Sequence, residues 1–142
     1  MAQAGARIVM SQGVPYIYDQ TRGKLLSMAR IYLRSGIKSR NAGNQTMRLE
    51  DGMSAYDVGD ALPRNATITG ITLNCEASSS WAFEIYKRGT PAPIASLSVV
   101  SGIENHSTSI NVDVSEGDIL TFKLNGSNIP FPRGLVELAW RI

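Results

Sequence analysis

Apolar and polar residues alternate with a period of two through most of the second half of the chain. Ile71, Leu73, Cys75 and Ala77 are separated by Thr72, Asn74 and Glu76, the pattern of a strand with one buried and one solvated face. The same beat returns at Trp81, Phe83 and Ile85, at Ala95, Leu97 and Val99, and at Ile110, Val112 and Val114. It continues at Leu120, Phe122 and Leu124 and closes at Val136, Leu138, Trp140 and Ile142. Six strands are therefore predicted beyond residue 70, with breaks at Ser78–Ser80, Gly89–Pro93, Ser101–Gly102, Ser115–Asp118 and Asn125–Gly134. On this reading Leu73, Cys75, Trp81, Phe83, Ile85 and Leu97 face a core, together with Val112, Val114, Leu120, Phe122, Leu124, Leu138 and Trp140.

Upstream, Tyr16-Ile17-Tyr18 and Leu25-Leu26-Ser27-Met28 flank Asp19 to Lys24, which predicts a hairpin in which Gly23 supplies a positive φ. Met28 to Leu33 is open to a short helix, but Ile31, Tyr32 and Leu33 are β-formers beside Gly36, so a strand or extended arm is the preferred reading, with Met47 to Leu49 as another short strand. No 3.6-residue stripe is present, which removes crossover helices and with them a doubly wound sheet. The expected fold is all-β: an antiparallel β-sandwich, jelly-roll-like, with an extended basic N-terminal arm and hairpin. Residues 1–48 form the arm and hairpin and 49–142 the sandwich, one domain overall.

A chain of 142 residues is long enough to bury about two-thirds of its surface without covalent staples. A lone Cys75 cannot form an internal disulfide, and one Cys with one His cannot make a four-ligand zinc site. Met1 to Met10 has a short apolar run at Ala6, Ile8, Val9 and Met10 without a cleavage site, so no signal peptide is expected, and no apolar stretch is long enough to span a membrane. Four sequons, at Asn44, Asn65, Asn105 and Asn125, are read as turn chemistry. The protein is expected to be made and kept in a reducing cytoplasm.

Net charge is only +2, but it is unevenly divided. Residues 1–48 hold eight of the fourteen basic side chains and one of the twelve acids, giving +7, and the remainder carries −5. Such a division suits attraction to an acidic partner or to the acidic part of a second copy. The candidate partner-binding residues are Arg7, Arg22, Lys24, Arg30, Arg34, Lys38 and Arg40. Interleaved Tyr16, Tyr18 and Tyr32 are too few for a base-stacking platform, so nucleic acid is not an expected partner.

Catalytic chemistry has little to build on. His106, Ser107, Ser109 and Asp113 permit a Ser/His/Asp reading, but a strained elbow around the serine is missing and a polar loop entering a strand explains all four. Cys75 falls on an inward beat, where a thiol behaves as a small hydrophobe. Asp57 and Asp60, or Asp113, Glu116 and Asp118, lack the ligand count of a calcium loop, and Glu116-Gly117-Asp118 reads as a turn. Gly5, Gly13 and Gly23 neither follow a parallel strand nor open a helix, so no phosphate loop is present. No enzyme activity, cofactor or metal is expected.

Two stretches and two later strands carry a resemblance. They are Tyr18 to Ser27 followed by Asn44-Gln45-Thr46-Met47-Arg48-Leu49, and Leu62 to Ile71. These lead into Val-x-Val-x-x-Gly-Asp-x-Leu-x-Phe at Val112, Val114, Gly117, Asp118, Leu120 and Phe122, then a closing strand Val136 to Arg141. Together they resemble the jelly-roll domains of tailed-bacteriophage virion proteins, which serve as capsid decoration or cement proteins, head fibres and tail-fibre tips. The resemblance implies a structural, homo-oligomeric role, as a dimer or trimer, without catalysis. No coiled-coil or collagen-like shaft precedes the domain, so the expectation is a decoration protein that binds the major capsid protein on the outside of the head and bridges capsomers. The alternative is a receptor-binding module of a tail fibre or baseplate. Either would be made in the host cytoplasm and end in the virion.

Overall fold

The computed structural model describes residues 7–49 and 61–142. Asp57 and Asp60, singled out above, lie outside them. Ten strands and no helix occur among the described residues: β1 (Ile8–Ser11), β2 (Val14–Asp19), β3 (Lys24–Gly36), β4 (Gln45–Thr46), β5 (Arg48–Leu49), β6 (Ala66–Lys87), β7 (Ala95–Ser107), β8 (Val112–Val114), β9 (Leu120–Asn125) and β10 (Arg133–Arg141). Every pairing is antiparallel, as the alternation predicts.

The sheet curls into two layers because β6 and β7 belong to both. Residues 66–74 of β6 pair with β10, whereas residues 82–87 pair with β9 along the same edge, and the opposite edge of β6 is followed by β8 at residues 66–68 and by β7 from Ile71 to Ile85. One layer is therefore β1-β2-β3-β10 and the first half of β6; the other is the second half of β6 with β9 and β4. Ser78–Ser80 and Ser101–Gly102, read from the sequence as breaks, lie inside these strands. Ladder pairing survives at Ser79 with Gly102, while the register slips on either side and Ser101 takes φ 46°. These residues bend a continuous ribbon from one layer to the other, and Ser80 accepts the Ser101 N–H at 2.9 Å.

Between the layers lies the core that alternation located. Leu73, Cys75, Trp81, Phe83, Ile85, Val114, Leu120, Phe122, Leu124 and Leu138 are buried, and Leu97, Val112 and Trp140 pack half-buried against them. Phe83 and Phe122 stack with centroids 5.6 Å apart. Gly134 of β10 meets Phe83 from the facing layer so closely that a Cβ there would fall 2.4 Å from the ring. Tyr16, Leu26, Met47 and Ile129 are also buried, although alternation alone did not select them.

The N-terminal region enters the same sheet. β3 runs thirteen residues and pairs along β10, with a bulge where Ala139 opposes Arg30 and Arg141 opposes Leu26. The β2–β3 hairpin closes on Gly23 at φ 72°, as predicted, with its N–H bonded to the Asp19 carbonyl at 2.7 Å. A second hairpin, β1–β2, turns through Gln12 and Gly13, both in the left-handed region, which matches the twist of the flanking strands.

Candidate functional site

Six of the seven candidate cations separate into two groups according to what the fold places beside them, and Arg7 belongs to neither. Arg22, at the β2–β3 tip, is 11% exposed and pairs with Asp19 at 2.8 Å. Its remaining N–H groups donate to the carbonyls of Ile110 (2.7 Å), Thr69 (2.8 Å) and Thr108. One planar guanidinium thus staples the hairpin to two distant segments. Lys24 donates to Asn111 at 2.7 Å and Asp113 at 2.8 Å, and Asp113 also accepts from Thr67 and faces Arg141 at 3.5 Å. Arg30 bonds the Ser27 carbonyl and stands 3.7 Å from Glu137, while Arg40 pairs with Glu76 at 3.2 Å.

These contacts tune the acids that receive them. Burial of Asp19 works against its charge, but hydrogen bonds from the Arg22 backbone and side chain, with the charges of Arg22 and Arg30, outweigh it and hold the carboxyl below the usual range. Asp113 follows the same balance. Burial raises it, and the bonds from Lys24 and Thr67, with the charges of Arg141 and Lys24, bring it down further than burial lifts it.

Arg34 and Lys38 belong to the second group. With Arg48 and Arg133 they rim an open cleft of about 550 Å³ whose apolar lining is Ile37, Leu49 and Phe131. All four cations are exposed, and among the described residues no carboxylate belongs to the lining. The pairing of Gly36 with both Arg133 and Arg48 brings together residues nearly a hundred positions apart. Opposite the strands, residues 37–42 and 129–132 run as a ladder: Ile37 N–H to Pro132 O at 3.1 Å, Phe131 N–H to Ser39 O at 2.7 Å, and Ala42 and Ile129 in reciprocal bonds of 3.0 and 2.9 Å. Sequence reasoning named neither Arg133 nor Phe131, since nothing local distinguishes the end of a polar loop. Arg7 is exposed just before β1 and is not among the residues that line this cleft.

The other chemistry considered from sequence resolves into structure. Asp113 is held by Lys24, Thr67 and Arg141, and His106 lies exposed on β7 opposite Thr72, so the Ser/His/Asp grouping does not assemble around the Asp113 carboxylate. The Ser107 and Ser109 hydroxyls bond each other at 3.2 Å. Asp118 accepts the Ser115 N–H at 2.8 Å and returns its own N–H to the Ser115 carbonyl, which makes the acidic segment a turn. Cys75 is buried, with its Sγ 3.2 Å from the Ala77 carbonyl. Asn44 and Asn65, outside the strands, accept the backbone N–H groups of Gly126 and Glu116, whereas Asn105 lies within β7 and not in the expected turn, its amide donating to the Ser98 carbonyl. Among the described residues no acid, His or Cys group has the geometry of a metal site, and no helix is long and apolar enough to cross a membrane.

No family model matches the chain, and no curated protein matches it. Among solved structures it is similar to the Tobacco streak virus coat protein dimer, at 8% identity and a TM-score of 0.34, with 80% of this chain and 86% of that one covered. It is also similar to the structure of infectious bursal disease virus Gx strain, at 10% identity and a TM-score of 0.39. There the match covers 95% of this chain and spans 36% of the other.

Proposed function

We propose that the protein is an accessory coat component of a tailed phage, a decoration or cement protein that binds the major capsid protein on the outer surface of the head. It reinforces the shell by contact area and not by chemistry, with further copies of itself completing the bridge between capsomers. The observation that carries this reading is the second group of cations: Arg34, Lys38, Arg48 and Arg133 converge on one end of a rigid sandwich around an apolar cleft. A basic rim steers the approach to an acidic surface, and an apolar floor supplies the contact that holds it. Of the seven residues named from sequence, Arg34 and Lys38 are the ones this reading assigns to docking, and Arg22 and Lys24 serve the fold.

A receptor-binding role in a tail fibre or baseplate is the second reading. It is favoured by a shallow polar groove on the outer side of β9, lined by Asn44, Gln45, Glu84, Lys123 and Asn125, whose amides and charges suit a hydroxyl-rich ligand. One deletion stock separates the two. A coat role predicts particles that assemble and adsorb normally but lose DNA at lower temperature, because each bridging contact removed lowers the barrier to capsomer separation. Equal heat survival with lost adsorption would overturn it.

A further inference from the structure

The cleft has more specific chemistry than a generic basic patch. Its charges stand at the rim, and the surface between them is aliphatic and aromatic: Ile37, 8% exposed, with half-buried Leu49 and Phe131. Phe131 sits at φ 48°, a left-handed conformation that costs a bulky side chain energy and that Gly or Asn would occupy more readily. Its N–H is bonded to the Ser39 carbonyl, so this conformation is fixed by the ladder that builds the wall. Lys38 and Arg133 are exposed and make no ion pair with the described residues, so their charge is available at the opening.

We propose that this cleft seats an extended acidic segment of a partner polypeptide, with one apolar side chain packed against Ile37, Leu49 and Phe131 between flanking carboxylates. The inference rests on the docking role assigned above to the same cleft, but not on the identity of the particle. Charge complementarity fixes the sign of the occupant: Lys38 and Arg133 stand exposed at the opening, and among the described residues no acid belongs to the lining. The floor fixes its class. A single-stranded nucleic acid would need successive aromatic faces for its bases. Among the described residues the cleft has one ring, Phe131, which already has the Arg40 guanidinium 5.5 Å from its centroid. A volume of about 550 Å³ holds a few side chains, not a folded domain, which makes the occupant a strand or loop.

The test uses the full chain and two fluorescent acidic heptapeptides, one with a central leucine and one with serine in its place, read by anisotropy at low and physiological salt. Burying the leucine should tighten binding about tenfold over serine, and added salt should weaken both. Lys38→Glu and Arg133→Glu should each weaken the leucine peptide several-fold, with the melting temperature unchanged because neither side chain supports the fold. Equal affinity for the two peptides, tighter binding of an oligothymidine of the same charge, or full affinity in both variants would each overturn the inference. Should a charge reversal disturb folding, Lys38→Gln and Arg133→Gln replace it. Amide shifts on peptide addition must then centre on residues 35–38 and 131–133, and shifts centred elsewhere count against the cleft. Capsid binding is scored separately. Peptide binding without particle binding sustains the cleft and defeats the coat reading, and the reverse result does the opposite.

Discussion

At the scale of single residues, two side chains hold positions that a neighbouring chemical type could not fill. Arg22 satisfies three backbone carbonyls and one carboxylate from a nearly buried site. A lysine would place one compact charge where a planar fork is required. Arg22→Ala should therefore cost about 2–4 kcal/mol, since it strands part-buried acceptors and leaves Asp19 without its partner; Arg22→Lys should recover less than half of this in urea melts. Gly134 is constrained by volume instead. Gly134→Ala drives a methyl into the Phe83 ring, and with Phe83 fully buried the overpacking should cost about 1–3 kcal/mol or more. Pairing it with Phe83→Leu should recover part of the loss. A double-mutant cycle with no coupling would mean that the two layers do not meet at this point.

At the scale of elements, the period-two pattern was enough to place strands and to decide which faces turn inward, since burial on one side of a pleated chain leaves that signature in the residues themselves. It could not show that the serines at 78–80 and the Ser101–Gly102 pair bend a ribbon and do not end it. Small polar residues mark turns and bulges alike, and only the partner strand distinguishes them: Ser79 still pairs with Gly102. The cleft was illegible for a related reason. Arg34 and Lys38 could be named from the local excess of charge, but Arg133 and Phe131 join them only through the β3–β10 pairing. The bend makes a prediction of its own. Ser101 is exposed at φ 46°, so Ser101→Gly should leave stability nearly unchanged, relief of strain offsetting the added freedom of the unfolded chain. Ser101→Val, β-branched in a left-handed position, should lose about 1–3 kcal/mol. Equal melting temperatures for the two variants would show that Ser101 is not where the ribbon turns.

At the scale of the whole molecule, the division into a basic first third and an acidic remainder does two separate jobs. Part of it is consumed internally, where Lys24 and Arg30 bind Asp113 and Glu137 and so tie the β2–β3 region to β8 and β10. Arg34, Lys38 and Arg48 line the cleft, where Arg133 joins them from the remainder of the chain. The internal share should make stability sensitive to acid in a defined way. Asp19 and Asp113 have carboxyls held below their usual range in the folded chain, while in the unfolded chain each titrates near pH ~3.9. The unfolded state therefore takes up protons first as pH falls. The stabilisation is complete above that value, declines through pH ~4, and is gone once the folded carboxyls are also protonated. Melting temperature should accordingly stay level from pH 7 to about 5 and drop below pH ~4. Asp113→Asn and Asp19→Asn should each start from a lower melting temperature at pH 7 and descend less steeply in acid, with the double variant flatter still. Asp113 is nearly half exposed, so salt should shrink its part of the effect more than that of Asp19, which is 15% exposed. Variants whose acid limb keeps the wild-type slope would show that these two carboxylates do not help to hold the basic hairpin on the sandwich, which leaves the bonds from Arg22 to backbone carbonyls and the packing of Tyr16 and Leu26 to secure it.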